Sequence, residues 1–229
     1  MHADYYLNTL YPLQDKVLNL VELLPVDFYL TGGTALSRAY LHHRYSDDLD
    51  FFVNGVSDFK EQVNKIIKQL TATGFKFETS VADDGYARMF IFEPGCSLKL
   101  DFVNDVPFRS GAPVPTNVFG RTDSLNNILS NKVTALSRYS PKDLVDIVFI
   151  SETHSFNWER ILSDASEKDL WVNPVNIAEA LEQFPLEKLS EINWIIEMPS
   201  DDWFRIRINQ LITNILDGSD NSLCPSLLK

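Results

Sequence analysis

The sequence predicts an α+β fold, a small mixed-direction sheet in the N-terminal half followed by a helical C-terminal region. Three observations predict it. Short β-prone runs bounded by turn-formers crowd residues 28–103. From residue 124 onward the apolar positions change to helical spacing. Between the two patterns, residues 105–116 hold three prolines and one glycine, the composition of a connecting loop. The expected organisation is therefore an α/β core over 1–115 and a helical domain over 116–229 that completes the active site.

The elements follow in order. Leu7, Leu10, Leu13, Val17, Leu20 and Leu24 recur at helical spacing, and Pro25 ends that helix. Phe28-Tyr29-Leu30-Thr31 reads as a buried strand, broken by Gly32-Gly33, with a short helix from Thr34 to Tyr40. Asp48 to Val53 is the next strand. Ser57 is placed to cap a helix running to Thr71, with Gly74 as its stop. Three strands follow, Phe75 to Thr79, Tyr86 to Phe92 and Leu98 to Val103, separated by Asp83-Asp84-Gly85 and Pro94-Gly95. Asp123 or Ser124 caps a helix from Leu125 to Arg138, and Ser140-Pro141 opens another through Ile150. Asn173-Pro174 repeats that device, and Ser200 begins a last helix through Leu216, stopped by Gly218.

Composition narrows the function classes. The 229 residues are 45% hydrophobic, enough for a core, and carry no signature of disorder. No run approaches the roughly 20 apolar residues of a membrane span, and the N-terminus lacks a basic segment followed by an apolar one. A cytoplasmic protein without a membrane partner is expected. Cys96 and Cys224 stand far apart and form no CxxC spacing, which argues against a disulfide framework or a zinc cluster. The net charge of −12 gives no general attraction to a nucleic-acid backbone. A nucleic-acid contact would need a local basic patch, and Arg38-His42-His43-Arg44 and Lys132-Arg138-Lys142 are the two candidates. His42 and His43 read chiefly as loop residues, and Trp158, Trp171, Trp194 and Trp203 as core.

The chemistry concentrates in Thr31-Gly-Gly-Thr-Ala-Leu-Ser-Arg38 and Arg44-Tyr-Ser-Asp-Asp-Leu-Asp-Phe-Phe52. Paired glycines after a strand let the backbone approach a ligand closely, and the helix start that follows favours phosphate. Asp48 and Asp50 lie two apart on a strand and share a face, with Leu49 and Phe51 turned into the core. Two adjacent carboxylates repel, and a divalent cation between them relieves the repulsion. Such oxygen ligands suit Mg²⁺, or Mn²⁺ in its place. Asp47 falls on the opposite face and reads as a turn residue. In Ser97-Leu-Lys-Leu-Asp-Phe-Val103, alternation puts Lys99, Asp101 and Val103 on one face. If this strand neighbours the Asp48–Asp50 strand, three carboxylates converge in an arrangement that holds two metals for in-line phosphoryl chemistry.

This combination resembles the polymerase-β-type nucleotidyltransferase superfamily, and within it the AbiEii/AbiGii toxin family of type IV toxin–antitoxin and abortive-infection systems. The resemblance spans roughly residues 25–150, and no recognised motif extends it past about residue 155. It extends to a helical motif, here Lys132-Val-Thr-Ala-Leu-Ser-Arg138 and Lys142-Asp-Leu-Val-Asp146. Read from the residues alone, these cations can bind a triphosphate and these acids can orient Lys132. The resemblance implies that one of Asp143 and Asp146 acts catalytically, Asp143 being the nearer and Asp146 its support.

The resemblance implies a reaction in which a nucleoside triphosphate rests on Gly32-Gly33, helped by Thr34, Arg44, Ser46 and Arg138. Asp48, Asp50 and Asp101 hold metal, and Asp101 helps deprotonate an attacking hydroxyl. Lys132 stabilises the leaving pyrophosphate. The implied acceptor is RNA such as transfer RNA, and the implied partner is a cognate antitoxin. The acidic charge also suits a cationic small acceptor of the aminoglycoside kind; a protein acceptor is a further alternative, and a non-catalytic nucleotide-binding or partner-binding module is the alternative outside enzymes.

Overall fold

The computed structural model describes residues 2–224. These fall into two compact units, one built from residues up to 107 with 112–123, the other from 108–111 with 124 onward.

The first unit is organised on a five-stranded sheet in the order β1-β2-β5-β4-β3, comprising β1 (Tyr29–Thr31), β2 (Leu49–Asn54), β3 (Lys76–Ala82), β4 (Tyr86–Glu93) and β5 (Cys96–Asp105). Only β2 and β5 run parallel. The other pairs are antiparallel, so the sheet is mixed. Alternation assigns its faces. Leu49, Phe51 and Val53 of β2, Leu98, Leu100 and Phe102 of β5, and Ala87, Met89 and Ile91 of β4 are all buried. Phe51 stacks on Phe102 with ring centres 5.3 Å apart, and Phe28 meets both Phe102 and Phe59 edge-on. The centre of this core is thus aromatic, which rewards burial with directional ring contacts.

Helices α1 (His2–Tyr5) and α2 (Tyr11–Glu22) are joined by a π-helical turn, Tyr6–Leu10, and together they replace the single N-terminal helix read from periodicity. After β1 the chain turns helical at once, as α3 (Gly32–Thr34) continued by a second π-helical segment, Ala35–Leu41. Helix α4 (Phe59–Ala72) starts later than expected. Asp58, not Ser57, holds the N-cap position, and Gly74 at φ +78° closes the end. Residues 114–122 return alongside β1 through a bridge between Leu30 and Thr122.

The second unit is helical, with α5 (Leu125–Ala135), α6 (Pro141–Thr153), α7 (Trp158–Ser166), α8 (Pro174–Glu182) and α9 (Asp201–Asp217). Its caps are those the sequence marks. Ser124, Asn173 and Ser200 each accept a hydrogen bond from the backbone N–H three residues on. Gly218 ends α9 in the left-handed region that glycine adopts without strain. Helix α7 was not singled out in the sequence, although Asn157 caps it in the same way. Trp158 is fully buried; Trp171, Trp194 and Trp203 are partly exposed. Cys96 and Cys224 are both buried. Among the described residues no helix is long and apolar enough to cross a membrane.

Candidate active site

The site of the first unit begins where β1 ends. Thr31 is extended, and Gly32 at φ +69° turns the backbone into the following helix. A side chain is excluded at Gly32 for a second reason, because a Cβ there would lie 2.3 Å from Oδ2 of Asp50. The carboxylate of Asp50 therefore rests against the bare backbone of the turn. Glycine is required by both conformation and proximity.

Gly32→Ala is expected to cost about 1–2 kcal/mol from the left-handed backbone alone. The collision with Asp50 falls on the end of a side chain that can swing aside, so the larger effect is on the placement of that carboxylate. A displacement near 1 Å costs on the order of 10²-fold in rate. The check is the transfer rate of the variant beside its melting temperature. An active variant with an unchanged rate would show that the placement of Asp50 is not critical.

Gly33 is explained from the other side of the turn. A Cβ there would lie 2.7 Å from Nη2 of Arg44 and 3.0 Å from Oγ of Ser46. Arg44 is only 1% exposed, and its Nη1 donates to the carbonyl of Tyr45 at 3.0 Å. Thr34 and Ser46 are buried as well, their hydroxyls 2.9 Å apart, and the Thr34 hydroxyl also bonds the Asp48 carbonyl. Arg44, Ser46 and Thr34 were expected at the nucleotide. The structure places them inside, under the turn, because the loop before β2 folds back beneath it. Gln14 pins that loop by donating to the carbonyls of Ser46 and Asp47, and Tyr6 donates to the carboxylate of Asp47. His43 is buried in the same loop, and His42 lies exposed at its start with φ +51°.

Register decides how the acids meet. Thr31 pairs with Asp50, Asp50 with Asp101, and Asp101 with Arg88, forming one row across β1, β2, β5 and β4. Asp50 and Asp101 thus stand on neighbouring strands, on the face opposite the apolar core. The Asp101 carboxylate, however, is held by cations. Arg88 chelates Asp101, Nε to Oδ1 at 2.7 Å and Nη2 to Oδ2 at 2.8 Å, and the hydroxyl of Tyr86 donates to Oδ1 at 2.8 Å. The ammonium of Lys99 lies 2.8 Å from Oδ2 of Asp48 and 3.3 Å from Oδ2 of Asp101.

The charges respond accordingly. Burial pushes the Asp101 carboxyl up, but hydrogen bonds from Arg88 and Tyr86 and the charges of Lys99 and Arg88 outweigh it and hold it below its ordinary value. Burial pulls the Lys99 ammonium down. The hydrogen bond to Asp48 and the charges of Asp48, Asp101 and Asp50 more than offset this and raise it. Tyr86 is raised by burial and by its bond to Asp101.

These contacts bear on the expectation of a metal centre made by all three acids. Among the described residues no three acidic, histidine or cysteine side chains are arranged to hold an ion. Asp48 and Asp50 fit a divalent cation: they supply hard oxygen donors, and a cationic group is already drawn to Asp48. Asp101 does not fit as a ligand, since both its oxygens are committed to Arg88. Lys99, Arg88 and Tyr86 were not named as site residues. Lys99 shares a face with Asp101 in the sequence pattern, but the pairing of Arg88 depends on a strand register that no local pattern encodes.

The second unit carries the other predicted group. Lys132 on α5 places its ammonium 2.8 Å from Oδ1 of Asp143 and 2.8 Å from Oδ2 of Asp146, both on α6. Asp146 is 0% exposed. The Asp143 side chain is 7% exposed and the Lys132 side chain 11%. Arg138 reaches Asp143 at 3.4 Å from a largely exposed position. The motif therefore folds as one preformed ion cluster.

The profile of the AbiEii family, described as nucleotidyl transferase AbiEii toxin of a type IV toxin–antitoxin system, matches residues 20–211. The chain belongs to this family. It is accordingly a nucleotidyltransferase of the toxin type found in type IV toxin–antitoxin systems. Two solved structures share its fold. JHP933 from Helicobacter pylori is 19% identical, with 90% of this chain and 91% of that chain covered and a TM-score of 0.58. A second H. pylori protein, provisionally assigned as a nucleotidyltransferase, is 18% identical, with 95% and 97% covered and a TM-score of 0.57. No functionally curated protein matches the chain. The α+β class, with a nucleotidyltransferase-type mixed sheet and a helical C-terminal region, stands as expected.

Proposed function

We propose that this AbiEii-family enzyme moves a nucleoside monophosphate from a nucleoside triphosphate to an acceptor hydroxyl on RNA such as transfer RNA, as a toxin countered by a cognate antitoxin. The observation that carries the reading is the row Thr31–Asp50–Asp101–Arg88 beside a glycine turn whose backbone touches the Asp50 carboxylate. Asp48 and Asp50 would hold Mg²⁺ or Mn²⁺, which supplies Lewis-acid stabilisation of phosphoryl charge when bound. Gly32 and Gly33 give the phosphates close access to backbone N–H groups. Arg44, Ser46 and Thr34 set the shape of that turn from within. Asp101 is not assigned as base, because its oxygens accept from Arg88 and Tyr86 and face the charge of Lys99. Lys132, Asp143 and Asp146, with Arg138, are assigned to the same reaction, Lys132 bearing on the leaving pyrophosphate.

A second reading has one observation in its favour. The net charge of −12 suits a cationic small acceptor better than a polyanion. Incubating the chain with α-labelled triphosphates and, separately, total RNA, an aminoglycoside and bulk protein decides between them. Label on RNA is the expected result. Label on the aminoglycoside alone overturns the RNA assignment, and label on none overturns transfer to any of these acceptors. Growth arrest on expression, relieved by the adjacent gene, tests the toxin role.

A further inference from the structure

Asp101 has four acceptor positions, two per carboxylate oxygen. Oδ1 receives Nε of Arg88 and the hydroxyl of Tyr86. Oδ2 receives Nη2 of Arg88 and faces the ammonium of Lys99. Three of the four positions are filled by hydrogen bonds, and the fourth faces the Lys99 ammonium at 3.3 Å. Arg88 stays charged in water, and its planar fork matches the carboxylate. The Asp101 side chain is only 10% exposed, and water has little room to compete. A divalent cation placed between Asp48 and Asp101 would have to displace one cation and sit beside another.

We propose that Lys99 is a built-in cation standing where a second divalent ion would otherwise lie. The site then takes a single divalent cation, at Asp48 and Asp50. Asp101, Arg88 and Tyr86 are positioning residues whose task is to hold Lys99. The Lys99 side chain is 27% exposed and bonded to Asp48 at 2.8 Å, so its ammonium borders the proposed ion without closing the site. Its fixed charge would face the triphosphate from the β5 side, a duty that a second ion performs only while bound. This rests on the nucleotidyl-transfer reading for the identity of the substrate, but not for the number of ions.

The test is therefore a count of ions. Full-length chain without nucleotide is titrated with Mn²⁺, and free Mn²⁺ is followed by electron paramagnetic resonance. One Mn²⁺ per wild-type chain is expected. Lys99→Met and the double variant Arg88→Met/Lys99→Met release acceptor positions on Asp48 and Asp101. They are expected to bind a second Mn²⁺, or the first at least about tenfold more tightly, the usual scale for changes around a ligand. Lys99→Arg keeps the charge and is expected to keep the count at one. Two ions per wild-type chain, or none, overturns the proposal, as does an unchanged count and affinity in folded Lys99→Met. Should the variants fail to fold by circular dichroism, the wild-type count alone decides. A chain that binds one Mn²⁺ yet labels no acceptor would overturn the transfer reading and leave this one standing.

Discussion

Asp48→Asn is expected to lower nucleotidyl transfer by at least about 10³-fold while leaving the fold in place. A divalent ion contributes several kcal/mol of charge stabilisation to phosphoryl transfer, and each 1.36 kcal/mol is about tenfold in rate. Asparagine keeps one oxygen but loses the charge that draws the ion. The structural cost is small. The Asp48 side chain is 37% exposed and pairs with Lys99, and the carbonyl that ties the residue to Thr34 belongs to the backbone. A melting temperature within a few degrees of wild type therefore accompanies the loss. Mn²⁺ affinity measured on the same sample falls in parallel. If the variant retains transfer within tenfold of wild type, the cation does not depend on Asp48, and the Asp48–Asp50 assignment fails.

Much of this site is legible in the sequence, for a definite reason. Strand alternation is a local property, so Asp48 and Asp50 on one face of one run, and Lys99 and Asp101 on one face of another, follow from period two. The caps at Ser124, Asn173 and Ser200 are equally local, and the structure has all three. What alternation cannot supply is register. That β5 runs parallel to β2 with Asp101 beside Asp50, and antiparallel to β4 with Arg88 beside Asp101, comes from long-range pairing. The chelation of Asp101 stayed invisible for that reason. Burial is the other hidden quantity. Arg44 reads as a loop cation two residues before Ser46, yet it lies under the glycine turn at 1% exposure. Its position there depends on Gln14, thirty-two residues away from Ser46, gripping the loop. The π-helical segments at Tyr6–Leu10 and Ala35–Leu41 carry no pattern distinct from ordinary helix.

Lys132→Met is expected to destabilise the second unit by about 3–5 kcal/mol, the usual consequence of stripping one partner from a buried ion pair. The ammonium is shared by two carboxylates, and Asp146 is 0% exposed, so the charge left behind has no access to water. Arg138 contacts Asp143 from a position 70% exposed, at 3.4 Å, and compensates little. For a chain of this size that loss corresponds to a fall of roughly 6–20 °C in melting temperature. The cluster's role in stability separates from its role in the reaction through a second variant. Lys132→Met/Asp143→Asn/Asp146→Asn removes all three charges together and is expected to recover a large part of the stability, because the buried carboxylate charges leave with the ammonium. Transfer activity stays lost in both if Lys132 acts on the triphosphate. Thermal melts and labelling assays on the two variants read these quantities independently. A single variant as stable as wild type would mean the ammonium does not hold the buried acids. A stable triple variant with wild-type transfer would remove Lys132 from the chemistry.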